Sequence, residues 1–286
     1  MRWRTGRRSE NIEDRRGRSG RPRGRGIRLG GGMGLLIVIV LLLLGQNPLG
    51  ILGGAGEPRP PAPAPPVDSG AVRDQEADFI SVVLADTEDT WQSLFDAAGR
   101  RYQPPQLILY DGMVQSACGF GSAAAGPFYC PGDRKVYIDL VFFRELSRLG
   151  AEGDFARAYV LGHEVAHHVQ NLMGTMDEVN RLRSRVGRAD ADALSVLTEL
   201  QADCYAGVWA HHAHRQRNIL ERGDIDEGLA AAAAVGDDRL QRMAGRGVHP
   251  ESFTHGSSRQ RAHWFRTGLQ SGSIAACDTF GQSVRS

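Results

Sequence analysis

The sequence lacks two features that would each point to a different kind of protein. It has no Cys-x-x-Cys pair, which argues against a zinc site built from cysteines, and it shows no internal repeat. Residues 1–32 also have almost no apolar side chains, and eleven arginines face only Glu10, Glu13 and Asp14 there. Such a composition buries too little apolar surface to fold, so we expect residues 1–33 to form a disordered Arg/Gly-rich head.

One apolar run, Gly34–Gly53, provides about the 20 residues that a bilayer-crossing helix needs. Because arginines crowd only its N-terminal side, the positive-inside rule predicts a single-pass anchor in the cell membrane. The N-terminus is then cytoplasmic, and the rest of the chain is periplasmic or extracellular. A cleaved signal peptide and a buried core helix are the alternatives, although no clear Ala-x-Ala site precedes the linker. A proline-rich linker (residues 54–70) and a folded domain (residues 71–286) follow.

Four cysteines lie on the exported side of this predicted topology, where disulfides persist. Three pairings are possible. Cys118 and Cys130 enclose a short Gly-rich loop and most simply bond to each other, which leaves Cys204 to join its helix to the C-terminal tail through Cys277. Free thiols are the alternative.

The hydrophobic pattern predicts a mainly helical α+β domain with a small sheet. Two short β-rich runs, Leu107–Tyr110 and Lys135–Asp139, are the expected strands. A peptide could add to an edge provided by the second of them, near residues 136–138. Helical patterns cover residues 74–98, 141–149, 155–172, 189 to about 216, 227–243 and 257–270.

The run LGHEVAHHVQ, residues 161–170, contains a His-Glu-x-x-His arrangement. Residues i and i+4 share one face of a helix, so His163 and His167 point the same way, with Glu164 beside them. Two imidazoles placed like this bind Zn2+, and the glutamate can act as a general base on a water molecule. A core helix with chance histidines is the alternative. His168 is rotated about 100° away, which indicates a packing or surface role.

A catalytic zinc site needs a third protein ligand and an open fourth position. In TELQADCYAG, residues 198–207, Glu199 and Asp203 share a helical face, and apolar residues surround them. We expect Glu199 to be the third ligand and Asp203 to accept a ring N–H from a zinc-binding histidine. A solvated acidic stripe is the competing interpretation.

These two motifs, the loop ACGFGSAAAGPFYCPGDRKVYIDL, the tail FTHGSSRQRAHWFRTGL and the opening MRWRTGRRSENIEDRRG resemble the bacterial neutral zinc metallopeptidase family. Its members are predicted membrane-anchored proteins of the gluzincin kind. The resemblance implies a gluzincin-like fold, one zinc ion held by His163, His167 and Glu199, and Glu164 as the catalytic residue.

Related gluzincins often carry a histidine and an arginine in a C-terminal segment similar to the tail. The resemblance therefore suggests that His255 stabilises the oxyanion, with Arg259 and Arg261 as further candidates. His255 could instead cap the helix that starts near residue 257. The cluster of His211, His212 and His214 is more typical of an exposed helix end than of a second metal site.

The predicted function is a membrane-anchored zinc endopeptidase that hydrolyses peptide or protein substrates outside the cytoplasm. The alternative is a catalytically silent, zinc-folded binding or scaffold module, against which Glu164 argues because a structural site needs no general base. Nucleic-acid binding through the arginine-rich head is not expected, since membrane orientation and anionic lipids explain those arginines more simply.

Overall fold

A small mixed sheet and a set of helices form the part of the chain that this computed structural model describes, namely residues 1–17, 69–122 and 126–282. The strands are β1 (Ile12–Asp14), β2 (Gln106–Tyr110), β3 (Met113–Ser116), β4 (Gly119–Ser122), β5 (Phe128–Cys130) and β6 (Lys135–Asp139). The main sheet has the order β1-β2-β6-β5, with β5 antiparallel to β6 and the other pairs parallel. Strands β3 and β4 form a separate antiparallel hairpin.

The two predicted strands are the two central strands of the main sheet. Residues 107–110 of β2 and 136–139 of β6 are all buried. Parallel strands covered on both faces carry such unbroken apolar runs, because neither face meets water. The expectation that β6 offers an edge is wrong, since β6 lies between β2 and β5. The edges are β1 and β5, and strands of three residues are too short to show a periodic pattern.

The described residues are mainly helical, which confirms the predicted α+β class. The helices are α1 (Ser69–Ala97), α2 (Val141–Arg148), α3 (Asp154–Met173), α4 (Thr175–Arg183), α5 (Arg188–Arg217), α6 (Asp224–Ala234), α7 (Asp237–Met243), α8 (Ser258–Ser271) and α9 (Thr279–Gln282), with 3-10 turns at Pro250–Ser252 and Ile274–Cys277. The single helix expected over residues 227–243 is interrupted at Gly236. The start of α8 lies against Gly236, where a Cβ would collide with the backbone of Ser258. This close contact therefore requires a glycine between α6 and α7.

Helix α3 runs through the core, with fifteen of its twenty residues buried. It packs against α5, α6 and α1, while α8 packs against α5 along most of its length. Gly207 of α5 and Gly268 of α8 permit this close approach, because a Cβ at either position would collide with the backbone of the other helix. The packing brings the first turn of α8 to the same region as the middle of α3 and α5.

The N-terminal segment, residues 1–17, is folded, so the expectation of disorder is wrong there. Strand β1 pairs with β2, and the ring of Trp3 packs edge-on against Phe79 with centroids 5.2 Å apart. Composition misled the prediction because it counts only apolar burial, whereas this segment is held by a sheet edge and by carboxylates. Residues 18–33, the predicted anchor 34–53 and linker residues 54–68 lie outside the described residues. Among the helices described here, none combines the length and the apolarity needed to cross a bilayer.

Both predicted disulfides are present. Cys118, in the turn between β3 and β4, bonds to Cys130 of β5 with a Cα–Cα distance of 5.8 Å. Cys204 of α5 bonds to Cys277 in the last 3-10 turn, at 5.6 Å. The first disulfide fastens the hairpin to the edge of the sheet, and the second fastens the C-terminal tail to the helix that carries Glu199 and Asp203.

Candidate metal centre

Two histidines one turn apart on α3 form the first half of the site. The rings of His163 and His167 lie with their centroids 4.7 Å apart, nearly perpendicular to each other. Both side chains are mostly buried. Helix α3 is apolar on nearly every side, so these imidazoles and the carboxylate of Glu164 are polar groups placed inside a core, where each needs a partner.

The partner comes from α5. The Oε2 atom of Glu199 lies 3.1 Å from Nε2 of His163, and its Oε1 atom lies 3.4 Å from Nε2 of His167. One ligand atom from each of the three residues falls within 4.8 Å of the others. Zinc bonds of about 2.0–2.1 Å in a tetrahedral arrangement place neighbouring ligand atoms about 3.3 Å apart. The donor set therefore fits one zinc ion, and the structure brings together the three residues that the sequence singled out.

The remaining ring nitrogens of the two histidines are held by acceptors, which fixes their tautomers. Nδ1 of His163 lies 2.9 Å from Oδ1 of Asp203, and Nδ1 of His167 lies 2.8 Å from Oε1 of Gln170. A carboxylate and an amide oxygen accept only, so each Nδ1 carries the hydrogen and each Nε2 is left to bind a metal. Gln170 was missed from the sequence, although its i+3 spacing from His167 places it on the same face of α3.

Asp203 is the most enclosed member of the site, with a fully buried side chain. Arg261 of α8 donates to it twice, from Nε to Oδ2 at 2.8 Å and from Nη2 to Oδ1 at 2.9 Å, and the hydroxyl of Tyr159 also donates to Oδ1. Burial alone would raise the pKa of Asp203, but Arg261 and His163 outweigh it and hold that pKa below its usual value. Arg261 is itself buried, whereas Arg259 is exposed, so only Arg261 belongs to the site.

The electrostatics of the centre favour a cation between the imidazoles and Glu199. Burial lowers the pKa of His163, yet the carboxylates of Asp203 and Glu199 overcome this effect and raise it to about 9. Burial would likewise raise the pKa of Glu199, but the two histidines bring it well below its usual range. Glu199 is therefore ionised, and a positive charge beside it is stabilised whether a proton or a metal ion provides it.

Glu164 lies beside this carboxylate, but its pKa is shifted in the opposite direction. Its pKa is raised, first by burial and further by the charge of Glu199, against the opposing effect of the two histidines. It has no side-chain hydrogen bond among the described residues that would hold it ionised. A carboxylate with a raised pKa next to a metal site is suited to accept and return a proton.

His255 sits in the loop before α8, and its side chain is about half exposed. Its Nδ1 lies 3.3 Å from Oδ1 of Asp237, whose Oδ2 accepts the backbone N–H groups of Thr254, His255 and Gly256 at 2.6–3.0 Å. Burial opposes protonation of His255, but Asp237 and Glu199 raise its pKa above the ordinary value. The sequence offered no signal for Asp237, which reaches the loop from another helix.

The other histidines of interest have structural partners. His168 is buried; its Nε2 donates to the carbonyl of Gln103 at 2.6 Å, and its Nδ1 accepts from the hydroxyl of Tyr129 at 3.0 Å, which ties α3 to β5. Burial lowers the pKa of His168 to about 4. His211 and His212 donate to the carbonyls of Leu269 and Gly272, while His214 accepts from the backbone N–H of Leu220. The prediction that these three histidines are exposed is wrong, because all three are partly buried.

A second group of carboxylates, Asp154, Asp224 and Glu227, also has oxygens within 4.8 Å of one another. The α-ammonium group of Met1 already lies there, 2.8 Å from Oδ1 of Asp154 and 3.2 Å from Oδ1 of Asp224. It neutralises charge that a metal ion would otherwise meet, so this group is an ion-pair cluster of the fold.

Fold and site together define a class: a mainly helical α+β protein with a candidate zinc centre of two histidines and one glutamate on neighbouring helices. Residues 1–280 match the family model described as "Putative neutral zinc metallopeptidase", and the chain belongs to this family.

Among curated relatives, the chain is 47% identical over 291 residues to the uncharacterized protein YpfJ of Escherichia coli K12, a match that covers 99% of this chain and 100% of the relative. It is 45% identical over 190 residues to the uncharacterized protein Rv2575 of Mycobacterium tuberculosis H37Rv, covering 63% of each chain. No solved structure matches the chain.

Proposed function

We propose that the protein is a zinc-dependent endopeptidase with a gluzincin-like active site. The observation that carries the proposal is the convergence of His163, His167 and Glu199. The Glu199 oxygens lie 3.1 and 3.4 Å from the two Nε2 atoms, and one ligand atom of each residue lies within 4.8 Å of the others. The family supports the zinc and the peptidase class by its description. A raised-pKa glutamate beside the three ligands favours a catalytic site over a structural one, because a structural site closes its fourth position and needs no base.

A zinc ion held by these three residues would supply Lewis acidity to a water molecule and to the scissile carbonyl. Glu164 takes a proton from the attacking water as the new C–O bond forms, and returns it to the amine nitrogen as the C–N bond breaks. Its raised pKa suits both steps, since the residue must accept a proton and then release it. The water supplies its oxygen to the new carboxylate and both of its protons to the amine nitrogen, so the products are one carboxylate and one ammonium group and atoms and charge balance.

Charge that develops on the carbonyl oxygen needs a donor from the protein. Arg261 is committed to Asp203 through two hydrogen bonds and lies 3.9 Å from Glu199, so we assign it to positioning the ligand helix. His255 is about half exposed, has a raised pKa, and is held through Nδ1 by Asp237 and Thr254. Its Nε2 is left as the donor, and we propose that this imidazole stabilises the oxyanion.

Strand β5 is the edge that we propose for an extended peptide substrate. It is the antiparallel outer strand of the sheet, and β-strand addition to an edge is a recurrent mode of peptide recognition. The hydroxyl of Tyr129 in β5 bonds to His168 and accepts from Nδ2 of Asn171 at 2.8 Å, which places the strand alongside the helix that carries the metal ligands.

We also propose that hydrolysis takes place outside the cytoplasm and that the apolar run 34–53 attaches the protein to the cell membrane. Two disulfides support the first point, because disulfides persist in oxidising compartments. The run supports the second through its apolarity, because apolar surface is stabilised when it leaves water, and it lies outside the described residues.

The proposal is tested with the full-length protein and three samples: the parent, Glu164→Gln and Glu199→Ala. Zinc content is measured by elemental analysis, and peptide-library cleavage is measured with and without a chelator. We expect one zinc per chain and chelator-sensitive cleavage for the parent, zinc without cleavage for Glu164→Gln, and loss of zinc for Glu199→Ala.

The same samples separate the enzyme from a silent scaffold module. Zinc bound to the parent without any cleavage would favour the scaffold, and cleavage by Glu164→Gln at the parent's rate would refute the role of Glu164.

A further inference from the structure

The N-terminal segment, residues 1–17, is hydrogen-bonded to the domain at points that are far apart in the sequence. The backbone N–H of Arg2 donates to the carbonyl of Ile219 at 2.7 Å, and that of Ser9 donates to Ser81 at 3.0 Å. Strand β1 then adds to the edge of β2 in parallel register, Ile12 opposite Leu107 and Asp14 opposite Leu109. The segment is therefore an integral part of the fold, in contact with α1, with the main sheet and with the connection after α5.

Glu88 of α1 depends on this segment for its partners. Its side chain is only 9% exposed. Its oxygens accept hydrogen bonds from Oγ of Ser9 at 2.6 Å, Nδ2 of Asn11 at 2.8 Å and Nη2 of Arg7 at 2.8 Å. A buried carboxylate without partners is strongly unfavourable, so this face of α1 requires residues 7–11 beside it.

The arginines of the head have partners in the domain as well. Arg8 forms a two-bond pair with Asp78 at 2.7 and 2.8 Å, Arg7 also reaches Asp89, and Arg2 lies 3.4 Å from Glu221. These contacts give the arginines a role in folding. The charge asymmetry on which the predicted membrane orientation rests is therefore explained in part without any membrane.

Atoms joined by hydrogen bonds of about 3 Å cannot lie on opposite sides of a hydrocarbon layer about 30 Å thick. We propose that residues 1–17 and residues 69–282 share one compartment. An odd number of crossings would separate β1 from β2. The single-pass topology with a cytoplasmic N-terminus is incompatible with this packing.

Cysteine labelling of the full-length protein in its native membrane tests the proposal. Glu10 and Arg101 are exposed and lie on either side of the apolar run in the sequence, so Glu10→Cys and Arg101→Cys are matched reporters that each add one free cysteine. A membrane-impermeant maleimide is added to intact spheroplasts and, in parallel, to permeabilised ones. The parent protein gives the background, because its four cysteines are disulfide-bonded.

We expect both reporters to react equally in intact spheroplasts if the shared compartment is outside the cytoplasm. Both would react only after permeabilisation if it is the cytoplasm, and either result supports the shared compartment. A split result, with one reporter labelled in intact spheroplasts and the other only after permeabilisation, would overturn it. Labelling depends on neither zinc nor hydrolysis, so its outcome is separate from that of the proposed function.

Discussion

Replacing Asp203 by asparagine removes one charge from the most enclosed position of the candidate metal centre while keeping the side chain's shape. In the structure its two oxygens accept hydrogen bonds from Nδ1 of His163, the hydroxyl of Tyr159, and Nε and Nη2 of Arg261. Asparagine offers one acceptor oxygen and presents an N–H group where the other oxygen was. The amide N–H of the asparagine would then point at an N–H of Arg261, and the buried guanidinium would lose its neutralising carboxylate.

Two losses of different size follow. Removing one member of a buried ion pair costs about 3–5 kcal/mol. For a domain of about 200 residues this corresponds to a fall in Tm of roughly 6–20 °C. The second loss concerns the metal, because His163 is no longer held in one tautomer by a carboxylate. Mutating a group that hydrogen-bonds to a zinc-binding histidine typically lowers metal affinity about 10–100-fold.

The assay is competitive zinc titration with a chromophoric chelator, alongside thermal unfolding with and without zinc. Asp237→Asn is the matched control, since Asp237 is also a partly buried carboxylate close to a histidine, His255, that is not a proposed ligand. We expect Asp203→Asn to weaken zinc binding and Asp237→Asn to leave it unchanged. Equal zinc affinity for Asp203→Asn and the parent would refute the orienting role of this carboxylate.

Four further predictions follow from the site and the N-terminal segment. The pKa of His163, raised to about 9 without metal, means that zinc must displace a proton, so apparent zinc affinity should rise about tenfold per pH unit from pH 7 to about 9 and then level off. For the same reason the metal-free protein should lose stability as the pH rises through about 9. The stabilisation by protonated His163 is complete below about pH 6.5 and is lost as the pH rises through about 9. Calorimetry at several pH values checks both the sign and the window. His255→Gln should lower kcat by about 10²–10³-fold with zinc content unchanged, as steady-state kinetics will show, and an unaltered kcat would remove His255 from the mechanism. Arg8→Asp and Asp78→Arg should each lower Tm and the double exchange should restore it; strictly additive effects would mean that the two residues do not pair in solution.

Much of the metal centre could be predicted from spacing alone. An i, i+4 pair on a helix faces one way whatever the tertiary structure is, so His163 with His167 and Glu199 with Asp203 could each be grouped from the sequence. The choice between Arg259 and Arg261 could not be made in this way, because it depends on how α8 is rotated against α5. The i+3 spacing of Gln170 from His167 places it on the same helical face, but spacing alone does not show that its amide oxygen accepts from the imidazole.

The fold was less predictable where contacts, and not patterns, stabilise the structure. Strands β1 and β5 have three residues each and gain their stability from neighbours that are distant in the sequence. The segment before β1 has the composition of a disordered one because it is rich in arginine and has few apolar residues. Its order comes from carboxylates such as Glu88 and Asp78, and no composition count can show that these partners lie on a distant helix.

X-ray absorption at the zinc edge of the purified full-length protein tests the central claim most directly. We predict one zinc per chain with two imidazole nitrogens at about 2.0–2.1 Å, oxygen ligands and no sulfur, and loss of the bound ion in Glu199→Ala. A spectrum with sulfur ligands, or one unchanged by Glu199→Ala, would contradict the assignment of His163, His167 and Glu199 as the metal centre.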